Sequence, residues 1–225
     1  LMFNHVEHGY ALQELQANIV KKVGRLYTTP DGKKLPSITT VLGATQDKSG
    51  LDAWRKRVGE EEANRVMAQA STRGTAVHQL AEDYVNNEED WSKDAMPANL
   101  FTFNTIKPLL DKHMNNIWIQ EAPLYSERLE VAGRVDCIAE WDGVLSIVDY
   151  KTSRRPKKRE YVEGYFIQEA AYAAMFLERT GVPIKQIVTV IAVDDNEPQV
   201  FVEKTMDHLP KFVEARQKFR EKFGF

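Results

Sequence analysis

The stretch Val131-Ala132-Gly133-Arg134-Val135-Asp136-Cys137-Ile138-Ala139-Glu140-Trp141-Asp142-Gly143-Val144-Leu145-Ser146-Ile147-Val148-Asp149-Tyr150-Lys151 decides the fold. Two runs rich in β-branched and apolar residues flank Asp142-Gly143, a dipeptide suited to a two-residue hairpin loop. With those two residues as the loop, cross-strand partners have numbers that sum to 285, so Asp136 faces Asp149 and Arg134 faces Lys151. Side chains alternate along a strand, which places Asp136, Asp149 and Lys151 on one face, the two carboxylates about 4.5–5.5 Å apart at Cβ. Like charges opposed in this way destabilise a sheet, and the rest of the hairpin is apolar enough to be buried. A divalent cation offsets the repulsion most economically. Paired carboxylates with an open coordination position suit Mg²⁺ or Mn²⁺, and a lysine two residues on can contact a water or phosphate held there. A salt-bridged surface hairpin is the competing explanation.

Outward from the hairpin, residues 117–128 read as a strand that precedes strands at 131–140 and 144–151. Residues 161–179 form a long helix that stops at Gly181-Val182-Pro183. Strands at 186–193 and 199–205 and a helix after His208 follow, giving the order βββαββα. Upstream, Pro30-Asp31-Gly32 is turn chemistry within a short hairpin at 24–36, and Ser37 is placed as a helix N-cap. Helical spacing of apolar residues covers 51–71, 73–87 and 99–116. The expected architecture is α/β (α+β): a central mixed sheet flanked by helices, with a mostly helical N-terminal half. One domain over residues 1–225 is expected, residues 1–116 forming its helical part and 117–225 its sheet core.

Composition narrows the function classes. Of 225 residues, 43% are hydrophobic and 28% charged, with 30 Lys+Arg against 33 Asp+Glu, which is the balance of a folded chain and not of a disordered one. The longest apolar runs, 170–177 and 187–193, are far short of the ~20 residues that span a bilayer. The N-terminus lacks a charged-then-apolar signal pattern, and the chain opens at Leu1 rather than Met, so a trimmed start is expected. A single cysteine, Cys137, makes no intrachain disulfide, and its apolar neighbours suit a buried thiol in a reducing cytoplasm. The net charge of −3 disfavours non-specific coating of nucleic acid but is compatible with a local basic groove.

Gly133-Arg134-Val135-Asp136 and Asp149-Tyr150-Lys151 resemble the GxxD and DxK motifs of the PD-(D/E)xK nuclease superfamily. Gly74-Thr75-Ala76-Val77-His78 and Gln168-Glu169-Ala170-Ala171-Tyr172 resemble the GxxxH and QxxxY motifs of its RecB-like branch. Residues 36–42 and Arg73-Gly74-Thr75 also resemble mitochondrial genome maintenance exonucleases and related phage exonucleases. The resemblance implies that His78, Asp136, Asp149 and the backbone carbonyl of Tyr150 bind the metal, that Lys151 is the catalytic lysine and that Gln168 assists it. Relatives in this branch often carry four cysteines for an iron–sulfur cluster or a fused ATP-driven motor. This chain has neither the cysteines nor a phosphate-binding GxxxxGK[ST] loop, so no iron–sulfur cluster and no ATP are expected.

Several of these residues also have a structural explanation. Gln168 shares a stripe with Tyr161, Tyr165 and Tyr172 that suits a helix packed on the sheet. Glu121 fits either a supporting carboxylate or a rim residue, and Glu82, one turn after His78, either a supporting group or a solvated one.

Lys151, Arg154, Arg155, Lys157, Lys158 and Arg159 put six basic side chains within nine residues, directly after the catalytic hairpin, as a phosphate track would. Trp54-Arg55-Lys56-Arg57, with Arg65 and Arg73, mixes an aromatic with cations as single-strand binders do. Ser37, Thr39 and Thr40 at a helix start can hold a phosphate, although plain capping also explains Ser37. Acidic stretches at 60–62 and 88–90 favour an internal channel over a broad basic face. The expected activity is metal-dependent phosphodiester hydrolysis by a DNA exonuclease acting mainly on single strands or flaps in replication, recombination or repair. A duplex-end exonuclease, an endonuclease of the same superfamily and a binding module without catalysis are the alternatives. The expected location is the cytoplasm, that of the host if the chain is phage-encoded.

Overall fold

A computed structural model describes residues 2–225, and the elements below are those of the described residues. β1 (Gln16–Val20), β2 (Gly24–Thr28) and β3 (Lys34–Pro36) form a small antiparallel sheet in that order. The β2–β3 turn lies at Pro30-Asp31-Gly32, as the sequence indicates, with Gly32 at φ 89°. β1 escapes a sequence reading because all five of its residues are exposed, so no apolar alternation marks it.

Ser37 caps α1 (Ile38–Thr45), its hydroxyl accepting the Thr40 N–H at 3.0 Å. α2 (Ser49–Val58) and α3 (Glu60–Val85) follow. The expected break at residue 72 is displaced to Gly59. That residue has φ 90°, a conformation that side chains resist, whereas α3 runs unbroken through Gly74. α4 (Pro97–His113) passes directly into β4 (Met114–Ser126), three residues before the expected strand start, because buried Met114 already pairs with Trp141.

β5 (Val131–Trp141) and β6 (Val144–Ser153) form the hairpin. A 3₁₀ turn at Arg159–Tyr161 and α5 (Glu163–Thr180) follow, then β7 (Gln186–Val193), β8 (Gln199–Lys204) and α6 (Thr205–Phe223). α5 therefore starts two residues later than the Tyr161 of the sequence reading, and α6 starts ahead of His208, which sits in its first turn. The sheet order is β4-β5-β6-β7-β8, mixed, with β6 and β7 parallel across the α5 connection and the other neighbours antiparallel.

Helices cover both faces. Val77, Leu80, Phe103, Ile106 and Leu110 of α3 and α4 pack with Cys137, Ala139, Val148, Val188 and Val190. Val41 and Leu42 of α1, Phe166 and Phe176 of α5, and Phe212 and Phe219 of α6 pack with Val135, Ile138, Ile147, Ile187 and Ile191 on the other face. A strand covered on both faces needs few polar positions, which explains the apolar run of β7 from Ile187 to Val193, interrupted only by Thr189. The mixed sheet between helical layers is the architecture expected from the sequence. No helix among the described residues is long and apolar enough to cross a membrane.

Candidate active site

The β5–β6 hairpin has the register set by Asp142-Gly143, from Trp141 opposite Val144 to Cys137 opposite Val148. Regular pairing stops there, one step short of Asp136 and Asp149. At the opened position the Asp136 carboxylate replaces a backbone acceptor: its Oδ2 accepts the Tyr150 N–H at 3.1 Å. A strand residue points its N–H and C=O to the same side, so the Tyr150 carbonyl is directed toward the same fork.

The β4–β5 ladder lacks one pair at the same level, with its register unchanged on either side. Gln120 pairs with Cys137 and Ala122 with Val135, which leaves Glu121 opposite Asp136. Glu121 takes φ 49°, the left-handed region. Residues two apart normally share a face. Here Cys137 joins the α3–α4 core and Val135 the α5–α6 core, so β5 changes face at Asp136. Strict alternation along β5 is therefore lost beyond Asp136, yet the Asp136 and Asp149 side chains still meet through a hydrogen bond, with Cys137 and Val148 turned to the α3–α4 core. Asp149 and Lys151 are turned to α5, and Asp136 stands at the fork, within reach of α3.

α3 brings His78 to that fork. Gly74, one turn before it, faces β6: a Cβ there would lie 3.4 Å from Thr152 Oγ1, in ordinary van der Waals contact. His78 Nε2 is 2.7 Å from Glu121 Oε1 and 3.1 Å from Asp136 Oδ1. Ligand atoms of the three residues all lie within 4.8 Å of one another. Yet His78 Nε2 and Glu121 Oε1 are buried atoms without a properly aligned hydrogen-bond partner. Converging, under-satisfied nitrogen and oxygen donors fit a divalent cation, and Glu121 joins His78 and Asp136 as a donor the sequence left ambiguous.

Charge is concentrated in the fork. Burial disfavours the His78 imidazolium, but the close approach and attraction of the Asp136 and Glu121 carboxylates outweigh it and push its pKa up to about 10. Burial and the neighbouring Asp136 push Asp149 up to about 8. Burial works to raise Asp136, but the close approach and attraction of His78 overcome it and hold the carboxyl below the usual carboxylate range. Glu82 is raised by burial and by Glu121. These are the signatures of carboxylates crowded together where a cation would relieve them.

The second half of the site lies toward α5. Lys151 Nζ is 3.0 Å from Asp149 Oδ2, donates to Gln168 Oε1 at 3.1 Å and lies 4.7 Å from the Tyr165 ring centroid. Gln168 Nε2 donates to the Tyr172 hydroxyl at 3.4 Å, and the Tyr172 ring rests on Gly133. The four motif stretches read from the sequence are thus adjacent. Glu169 was missed as a separate feature. It is fully buried, accepts from Thr189 Oγ1 at 2.6 Å, and Thr189 is the β7 register partner of Asp149. An acid within an otherwise apolar helix face was its sequence signal.

The basic residues are divided. Arg154, Arg155 and Arg57 line a groove of about 930 Å³ with Trp54, and Glu62, Asp194 and Asp195 are also in its wall. Arg55 is instead tied to Glu60 at 2.7 Å and to Asn64, Arg65 to Glu62 at 2.6 Å, and Arg73 to Asp194 at 2.5 Å. The backbone of Lys157 is clamped by the Gln199 amide, and Arg159 is paired with Glu203. Lys158 is exposed. Ser37 is buried and occupied in capping, whereas Thr39 is exposed.

A mixed sheet between helices, with a histidine, acids and a lysine gathered where two of its strands part, is the architecture of a nuclease centre. The chain belongs to the PD-(D/E)XK nuclease superfamily, whose family model matches residues 53–223. Nucleases of this superfamily typically use divalent metals. Among curated relatives, mitochondrial genome maintenance exonuclease 1 of Homo sapiens is 27% identical over 132 residues, 55% of this chain and 38% of that protein. Its Xenopus tropicalis counterpart is 27% identical over 148 residues, 61% of this chain and 42% of that protein. The chain therefore spans about two fifths of the length of these relatives. A crystal structure from Eubacterium rectale, of a chain assigned only provisionally as an exonuclease, covers 67% of this chain and 68% of that chain. It does so at 17% identity and a TM-score of 0.40.

Proposed function

We propose that the chain is a divalent-cation-dependent deoxyribonuclease that removes nucleotides from the ends of single strands or flaps during DNA replication, recombination or repair. The observation that carries this reading is the meeting of His78, Glu121 and Asp136 from three elements beside the Asp149, Lys151 and Gln168 set. His78, Asp136, Asp149 and the Tyr150 carbonyl, with Glu121 added from the geometry, would hold Mg²⁺ or Mn²⁺. A cation bound there supplies Lewis-acid stabilisation of phosphoryl charge.

The chain's own groups do the rest. Lys151 keeps its ammonium charged, because attraction from Asp149 and Asp136 outweighs its burial, and presents it to the negative charge that develops on a phosphodiester. Gln168 holds the ammonium in place from the α5 side. Arg57, Arg154, Arg155 and Lys158, for which no ion pair occurs among the described residues, are positioned to receive backbone phosphates. Trp54 supplies a stacking surface in the same groove. Glu62, Asp194 and Asp195 in that wall disfavour a broad duplex footprint, which supports the single-strand reading. Residues from both halves of the chain are needed for one site, which supports a single nuclease domain. The buried Cys137, its thiol pushed up to about 12 by burial, suits a structural role in a reducing compartment such as the cytoplasm.

The test is digestion of end-labelled single strands, blunt duplexes, matching RNA strands and covalently closed circles with Mg²⁺ or Mn²⁺. Single-stranded DNA should be shortened from an end and circles left intact. Cleaved circles would replace the exonuclease reading with an endonuclease. A folded chain inert on every substrate would leave only a binding module.

A further inference from the structure

The two oxygens of Glu121 face different partners. Oε1 lies 2.7 Å from His78 Nε2, and Oε2 accepts from Arg134 Nε at 3.0 Å. Arg134 pairs across the ladder with Pro123, two residues from Glu121, which is the diagonal reach that long side chains bridge. Its outer nitrogen Nη1 donates to both oxygens of Glu14, at 3.0 and 2.9 Å. Glu121 itself sits at φ 49°, where a non-glycine residue stays only when its surroundings determine it.

We propose that Arg134 is a positioning residue for the metal cluster: by engaging Oε2 it keeps Oε1 turned to His78 and Asp136 and so sets the affinity of the cluster for a divalent cation. This rests on the cation site of the proposed function. Exposed arginine–carboxylate pairs add little to stability, so neither the link to Glu14 nor the fold requires an arginine here. On charge alone, an arginine beside a cation site weakens binding by repulsion. Positioning has the opposite sign, because without the Nε donor Glu121 is free to rotate out of the fork. The two effects can therefore be separated by experiment.

The experiment is Mn²⁺ binding followed by calorimetry and by the electron paramagnetic resonance signal of free Mn²⁺, in folded variants verified by circular dichroism. Arg134→Met should raise the dissociation constant about tenfold or more, the usual range for a lost supporting hydrogen bond. Arg134→Lys keeps the charge but has no Nε–H fork and should recover only part of the loss. In a Glu121→Gln background Arg134→Met should add nothing, since both act through one carboxylate. Glu14→Gln should leave binding within about twofold, as expected of an exposed pair. Unchanged or tighter Mn²⁺ binding by Arg134→Met, or additive losses in the double variant, would overturn the positioning role while leaving the cation site standing. A wild-type chain that binds no Mn²⁺ would overturn the cation site, and this role with it.

Discussion

A Cβ on Gly133 would lie 3.0 Å from Tyr172 Cε1 and 3.3 Å from its hydroxyl, so the first residue of the GxxD stretch and the last of the QxxxY stretch are in contact. Tyr172 also accepts from Gln168, which in turn accepts from Lys151. Gly133→Ala should therefore cost about 1–3 kcal/mol by overpacking and shift the Gln168–Lys151 contact. Thermal melts and single-turnover digestion should show both losses together, and Tyr172→Phe should lose the hydroxyl contact with little loss of packing.

Lys151→Met should remove activity by at least about a hundredfold, the scale on which a single charge-stabilising donor acts. Asp149, with its pKa already raised to about 8, can hold a proton once its partner is gone, so the variant should fold. Circular dichroism beside single-turnover digestion checks both. Wild-type rates in the folded variant would remove Lys151 from the chemistry.

The metal-free chain should lose stability in alkali. His78 is raised from 6.5 to about 10, so the stability its imidazolium adds is complete below 6.5 and disappears as the pH rises through about 10. Asp149 is raised from 3.8 to about 8, and it too binds its proton more tightly in the folded chain, so the loss runs in the same direction from 3.8 to about 8. Chemical denaturation in chelator between pH 6 and 9 should show falling stability, and His78→Ala should flatten the upper part of the curve. Cation binding must displace these protons, so calorimetry in buffers of different ionisation heat should detect proton release.

Metal preference should follow the imidazole. A nitrogen donor in an oxygen-rich set favours Mn²⁺ over Mg²⁺. Both ions should support activity, with Mn²⁺ effective at lower concentration, and His78→Ala should raise the half-saturating Mn²⁺ concentration. An unchanged titration in a folded His78→Ala would take His78 out of the ligand set.

Much of this architecture is readable from local chemistry. The Asp142-Gly143 turn sets the hairpin register as far as Cys137 and Val148, and the apolar runs of β5, β6 and β7 announce a sheet covered on both faces. The fork is not readable, because period-two alternation assumes an unbroken ladder. The left-handed Glu121 and the side-chain acceptor at Asp136 break it, and nothing local to either residue marks the break. For the same reason Glu121 is ambiguous in sequence: its place depends on a helix residue, His78, that lies 43 positions earlier. Cation runs are equally blind to pairing. Arg73 is indistinguishable in sequence from a free phosphate ligand, yet it is held by Asp194, 121 residues away.

The fork between β4, β5 and β6 should hold a divalent cation, and the proposed chemistry depends on it. Crystals grown with Mn²⁺ and measured at its absorption edge locate the ion without reference to activity. An anomalous peak is expected within ligand distance of His78 Nε2 and the Asp136 carboxylate, with Glu121 or Asp149 adjoining, and it should be lost in Asp136→Asn. A fully occupied Mn²⁺ site elsewhere with the fork empty, or a peak that survives Asp136→Asn unchanged, would contradict this.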